Sequence, residues 1–400
     1  MIKPDQIIQE NCSNRVEYIR LGEVCSIIKG VTPIQKANPG NYPLVVTTAE
    51  RKSCDTYQFD KSAVCIPLVS SRGHGIASLN HVYFQSGKFA LGNILCAVIP
   101  NDETQLSANY LYHYLEHKKD CLLVPLMKGG ANVSLHINDL ERVKVPIPPL
   151  LVQTEIVRIL DNFTKLSAEL TAELTARKKQ YEYYQNQLLT FSSDMPKVPL
   201  NDVIISLNTG LNPRQFFKLN TDDAKNYYVT IRELHNNCVM VSDKTDRIND
   251  EALMLCNNRS NLEEGDVLFS GTGTIGETAL ITSPPNNWNI KEGVYSIKPN
   301  PEFILSKFLM YILHTDFIRN EIFKKVAGGT VKSIPMGELK KINIPVPPLE
   351  EQGRIVSILD RFDKLCNDIY EGLPAEIAAR QKQYEYYRNK LLTFTEIGVD

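Results

Sequence analysis

The chain has 400 residues, 43% hydrophobic and 22% charged, the make-up of a globular protein of two to four domains rather than a disordered or fibrous chain. A formal net charge of −2 lacks the basic excess of a dedicated nucleic-acid binder, although a local basic cleft can supply the needed field. No apolar run approaches the ~20 residues of a membrane span, the first residues lack a signal-peptide core, and nine cysteines with no Cys-x-x-Cys pair point to reduced thiols in the cytoplasm.

In chain order, the segments around 43–46, AVCIPLVS from Ala63, ILCAVIP from Ile94 and VKVPIP from Val143 read as strands bounded by Gly, Asn and Pro, with a short helix at 108–117. After Pro149 a long helix is predicted. Its apolar positions, Ile156, Leu160, Phe163, Leu166, Leu170 and Leu174, then Tyr181, Tyr184, Leu188 and Phe191, keep steps of three and four. Strands return at VIISL from Val203, YYVTI from Tyr227, NCVMV from Asn237, DVLFS from Asp266, TALIT from Thr278 and VYSIKP from Val294, with one helix over 305–323. A second long helix carries Ile355, Leu359, Phe362, Leu365, Ile369, Leu373, Ile377, Tyr384, Tyr387, Leu391 and Phe394. Pro374 predicts a kink or restart within it.

The two halves repeat one device. PIPPLLVQTEIVRILDNFTKL at 146–166 returns as PVPPLEEQGRIVSILDRFDKL at 345–365, and RKKQYEYYQNQLLTF at 177–191 returns as RQKQYEYYRNKLLTF at 380–394. A rod of roughly 40 residues is roughly 60 Å long and cannot bury its stripe inside one small domain. The expected fold is therefore α+β: two similar mixed α/β domains joined by two long antiparallel coiled-coil helices with pseudo-twofold symmetry. The expected boundaries are 1–147 for the first domain, 148–192 for the first rod, 193–346 for the second domain and 347–396 for the second rod. Between the blocks of the first copy stands a small tandem repeat, Ser167-Ala168-Glu169-Leu170 then Thr171-Ala172-Glu173-Leu174. It reads either as plain helix sequence or as an adjustable spacer.

On these motifs, over nearly its whole length, the chain resembles the specificity (S) subunit of type I restriction-modification systems. The P-x-PPL-x-x-Q and QYEYY-x-x-x-LL-T-F blocks resemble the two ends of that family's helices, and the SAEL-TAEL unit resembles the spacer repeat of one subfamily. The resemblance implies two target-recognition domains and a non-catalytic role. It implies double-stranded DNA as ligand, two modification (methyltransferase) subunits and further restriction subunits as partners, and no membrane. S-adenosylmethionine, ATP and Mg are expected on those partners and no cofactor in this chain. Paired features agree with two related domains: Gly30-Val31-Thr32-Pro33 with Gly210-Leu211-Asn212-Pro213, Ser71-Arg72-Gly73-His74-Gly75 loosely with the 270–276 segment, and Lys128-Gly129-Gly130 with Ala327-Gly328-Gly329.

Three motifs point elsewhere and are weaker. GTGTIG at 271–276 fits G-x-G-x-x-G, but a strand-like ETALIT follows where a dinucleotide site needs a helix. His113 to His117 fits H-x-x-E-H without a third ligand. Ser283-Pro284-Pro285-Asn286 lacks the aromatic residue that stacks a flipped base. No catalytic or metal site is expected. The candidate DNA contacts are loop residues. Arg72, Arg214 and Arg232 suit guanine and Asn132 suits adenine. Ser71, His74, Ser270, Thr272, Thr274 and Ser333 suit bases or phosphates, and Lys128 and Lys332 suit phosphates. Tyr181, Tyr184, Tyr384 and Tyr387 are candidate docking residues for partners, or else packing between the rods. The alternatives in other classes are a two-headed protein-binding adaptor and a stand-alone DNA adenine methyltransferase.

Overall fold

The structure is a computed structural model that describes residues 15–72, 74–192, 194–329, 331–367 and 371–397. Gly73 and Thr330, named in the motif comparisons, lie outside the described residues. The chain forms two compact units, Met1–Leu170 with Ile377–Asp400, and Thr171–Glu376. The principal helices are α1 (Ala108–Leu122), α2 (Leu150–Leu188), α3 (Asp250–Ser260), α4 (Ser306–Leu313), α5 (Asp316–Lys324), α6 (Leu349–Asn367) and α7 (Leu373–Leu391).

In unit 1 a four-stranded antiparallel sheet runs in the order Cys25–Lys29, Leu95–Pro100, Ala63–Pro67, Tyr83–Gln85. The two central strands are apolar on both faces, and every residue of Ala63–Pro67 and Leu95–Pro100 is buried. One face meets Tyr110, Leu111, Tyr114 and Leu115 of α1, which in turn pack on Val152, Ile156 and Leu160 at the start of α2. A second sheet centres on the parallel pair Tyr42–Val45 and Lys88–Leu91. Arg15–Arg20 pairs antiparallel with Lys144–Ile147 and parallel with the terminal Thr395–Glu396, and Leu391, Leu392 and Phe394 are buried in this unit's core.

Unit 2 repeats that frame. Its four-stranded sheet runs Ile204–Thr209, Val294–Pro299, Val267–Ser270, Thr278–Leu280. Asn226–Val229 and Trp288–Ile290 form its parallel pair, and Lys197–Pro199 pairs antiparallel with Asn343–Pro345. Phe308, Leu309, Tyr311 and Ile312 of α4 pack on Ile355 and Leu359 of α6.

The long helix is α2, 39 residues without a break. In unit 1 its beginning packs on the end of α7, with the Phe163 ring stacked 5.5 Å from Tyr387 and 6.3 Å from Tyr384. In unit 2 its later part packs on α6, with Tyr184 5.4 Å and Tyr181 6.3 Å from Phe362. Pro374 falls in the first turn of α7, where a missing N–H is tolerated, as the sequence predicts. The single helix expected over 305–323 is two helices. Thr315 ends α4 by donating its hydroxyl to the Ile312 carbonyl at 2.8 Å and starts α5 by accepting from Ile318 N–H.

Candidate nucleic-acid interface

The repeated Gln and Asp of the two helix-start blocks fix each long helix to its unit. Gln153 is fully buried; its amide donates to the Gln105 and Pro148 carbonyls, both at 2.8 Å, and its oxygen accepts from Ser107 N–H at 2.8 Å. Gln352 makes the same three bonds, to the Phe303 and Pro347 carbonyls at 2.8 Å and from Leu305 N–H at 2.9 Å. Asp161 faces His113 Nε2 at 2.8 Å, and Asp360 accepts from the Tyr311 hydroxyl at 2.7 Å and from Lys307 Nζ at 2.5 Å. These braces were not singled out from the sequence, although both letters stand at the same places in both blocks. They also account for the H-x-x-E-H spacing. His113 is turned to Asp161, with its imidazole held below the ordinary value chiefly by burial, and Glu116 accepts from Val82 N–H at 2.6 Å.

Each unit then presents one turn built the same way. In unit 1, Lys128 and Ser134 exchange backbone bonds at 2.8 and 2.9 Å across the turn; in unit 2, Ala327 and Ser333 exchange theirs at 2.8 Å. A glycine follows in each, Gly129 at φ 143° and Gly328 at φ 111°. A Cβ there would stand 2.1 Å from the Asn132 carbonyl oxygen or 2.4 Å from that of Val331, so no other residue fits. A second loop docks beside each turn: Ser70 N–H donates to Val133 O at 3.0 Å in unit 1, and Gly273 N–H donates to Lys332 O at 2.9 Å in unit 2. By these bonds Ser70 in unit 1 holds the position that Gly273 holds in unit 2, so the looser match of Ser71 with Ser270 is shifted in register.

The structure thus brings Ser71, Arg72, His74, Lys128 and Asn132 onto two adjoining loops of unit 1, all exposed. Ser71 caps Asn80 N–H at 2.9 Å, His74 takes the left-handed conformation at φ 61°, and Lys128 pairs with Asp139 at 3.0 Å. That bond holds the Asp139 carboxyl below the usual range. In unit 2, Thr274 and Lys332 are exposed on the matching loops, with Thr272 and Ser333 half-buried. The lysines occupy opposite arms of the same turn in the two units. Ser270 is fully buried: its hydroxyl donates to Thr274 O at 2.6 Å and accepts from Glu277 N–H at 2.8 Å, which makes it a support of the loop and not a surface contact. The GTGTIG segment joins two antiparallel strands as a hairpin turn, with Thr278–Leu280 where a helix would be required.

Beside Thr272 lies a cavity of about 340 Å³ lined by Pro213, Tyr228, Thr230, Arg232, Asp246 and Lys291 among others. Arg232 stands at its edge, and exposed Arg214 follows Pro213 in the short helix Pro213–Phe216. Tyr181, Tyr184, Tyr384 and Tyr387 pack against the partner helix inside each unit, whereas Tyr183 and Tyr386 are each 58% exposed. Among the described residues no group of three or more His, Cys, Asp and Glu is placed to hold a metal ion, and no helix is long and apolar enough to cross a membrane.

A family profile described as "Type I restriction modification DNA specificity domain" matches residues 14–177 and 192–379. A putative type I restriction enzyme specificity subunit of Haemophilus influenzae is 31% identical over 96% of both chains. A type I restriction enzyme specificity subunit of Escherichia coli is 34% identical over 73% of this chain and 72% of its own. The fold is similar to the crystal structure of a type I restriction-modification S subunit from M. genitalium, with TM-score 0.59, 15% identity, and 94% and 96% of the two chains covered.

Proposed function

The chain belongs to the type I restriction-modification DNA specificity family, whose members recognise DNA and are not themselves catalytic, and on that footing we propose that it reads a bipartite target, one short block per unit. The observation that carries this reading is the frame built twice with loops that differ: the same sheet, the same Gly129 and Gly328 turn, the same glutamine brace, but lysine, arginine and hydroxyl groups at different positions. Loop side chains specify through base edges while lysines fix register on phosphate. The length of α2 sets the non-specific gap between blocks. Two modification subunits carrying S-adenosylmethionine dock on the chain in the cytoplasm, with Tyr183 and Tyr386 in their footprint, and restriction subunits using ATP and Mg join them.

The test is to sequence methylated adenines in cells that hold the modification subunit with and without this chain. The expected result is one split motif, two constant blocks around a gap of fixed length, that vanishes without the chain. Methylation at an unsplit motif, or at an unchanged motif when the chain is absent, overturns the reading.

A further inference from the structure

We propose that Arg232, held by Asp246, is the residue through which unit 2 reads a guanine. This rests on the reading that each unit takes one block, and it assigns one base pair within the block of unit 2. The candidates Arg72 and Arg214 make no guanidinium hydrogen bond among the described residues. The Arg232 head, in contrast, is aimed. Its Nη2 donates to Asp246 Oδ2 at 2.8 Å and its Nε reaches Thr230 Oγ1 at 3.4 Å. Asp246 is itself fixed, since its other oxygen accepts from Asn220 Nδ2 at 2.9 Å and its backbone carbonyl accepts from Tyr228 N–H at 2.7 Å. Thr230 in turn donates through both its amide and its hydroxyl to buried Glu233 at 2.8 Å.

A guanidinium has five N–H donors. The two engaged here are Nε–H and one Nη2–H. The remaining Nη2–H and the outward N–H of Nη1 form the end-on fork that spans O6 and N7 of a guanine in the major groove. The head is 60% exposed and sits at the edge of the cavity that Thr272 also lines, on the loop cluster of the proposed interface. An ion pair so open to solvent adds little to folding. Its effect is to remove rotamer freedom from the free protein, which a fork needs before it meets a base.

Unit 1 has no such head at the same place. Gly92 N–H donates to Val45 O at 3.0 Å and Lys291 N–H donates to Val229 O at 2.8 Å, so Val45 and Val229 share one register position. Three residues further stand Thr48 in unit 1 and Arg232 in unit 2. Thr48 is exposed and turns its hydroxyl to Glu50 O at 3.1 Å. The base read here therefore belongs to one block only.

The experiment uses the full chain assembled with its modification subunits and a duplex library randomised one pair at a time around the parental motif. Arg232→Ala is expected to lose about ten- to a hundredfold of discrimination at one G·C pair in one block, leaving the other block unchanged. Arg232→Lys keeps the charge but not the fork and is expected to relax the same pair with less loss of affinity. Asp246→Asn is expected to relax it in part. Uniformly weaker binding to all sequences by Arg232→Ala in a complex that melts normally would mark a phosphate contact and overturn the assignment. So would relaxation at an A·T pair or in both blocks, or full discrimination retained by Arg232→Lys and Asp246→Asn. A wild-type complex that selects no split motif overturns the underlying reading as well, whereas a split motif untouched by the substitutions overturns only the assignment of Arg232.

Discussion

Gln153 and Gln352 each pair two carbonyls and one N–H from the segments around them. Replacing Gln352 by Leu leaves all three unpaired at about 1 kcal/mol or more each, so a loss of about 3 kcal/mol or more is expected in urea unfolding of the full chain. Gln153→Leu is expected to cost a similar amount, and a change below about 1 kcal/mol in both would remove the brace from the account. A second residue sets a pH dependence. Burial, with the Arg319 charge beside it, pushes the His314 imidazole from 6.5 down to about 4. Its Nε2 stands 2.6 Å from the Thr278 hydroxyl. Between those two values the unfolded chain takes up a proton that the folded chain refuses, so stability is full above about 6.5 and falls as the medium acidifies toward 4. The slope is at most about 1.4 kcal/mol per pH unit. Melting of wild type and His314→Asn followed from neutral to acid should converge as the window is crossed; parallel curves would show that His314 does not contribute. From the sequence, Arg232 was legible as a surface arginine, but Asp246 and Asn220, which aim it, were not. Asp246 meets it from 14 residues further along the chain, and Asn220 meets Asp246 from 26 residues before it.

At the scale of elements, strong periodicity carried far and weak periodicity did not. The strands Ala63–Pro67 and Leu95–Pro100 were readable because burial sets every position, and α2 because its apolar steps keep one spacing along the helix. The helix α3 was not read. Only Ala252, Leu253, Cys256 and Ser260 of its eleven residues are buried, and its ends are made by Asn249 accepting from Ala252 N–H and by Asn261 in the left-handed conformation. The Arg15–Arg20 strand was missed because its partners, Lys144–Ile147 and Thr395–Glu396, lie far along the chain. The small tandem repeat at 167–174 lies inside α2, exposed on most of its surface and without a break in helix. Inserting one further Thr-Ala-Glu-Leu unit after Leu174 adds about 6 Å of helix and turns the apolar stripe by only about 40°. At about 3.4 Å per base pair, the selected gap should lengthen by about two base pairs with both blocks unchanged. A methylome that returns the original gap would leave the repeat as ordinary helix.

For the molecule as a whole, two units from one repeat explain how a chain of near-neutral charge can serve DNA recognition. Basic side chains stand on the loops of both units, Lys128 beside Asp139 in unit 1, and Lys332 exposed with Arg232 beside Asp246 in unit 2. The doubling was legible from letters alone, since the helix-start blocks keep their prolines, Gln, Asp and apolar steps at the same places. The discontinuity of unit 1 was not, because nothing in TFTEIG marks it as a strand that returns to Val16. That return has a consequence for how the protein is made. Leu391, Leu392 and Phe394 fill the interior of the unit begun at the other end of the chain, and the Tyr18 hydroxyl donates to the Phe394 carbonyl at 3.0 Å. A ribosome adding roughly 5 to 20 residues per second needs roughly ten to forty-five seconds to travel from Leu170 to Leu391. Throughout that interval the nascent first unit stands open at the place Phe394 will occupy, and the later unit, uninterrupted in sequence, has all its parts once Glu376 is added, before the first is closed. The portion synthesised first is the portion completed last, and a message cut short yields a closed second head behind an unsealed first one.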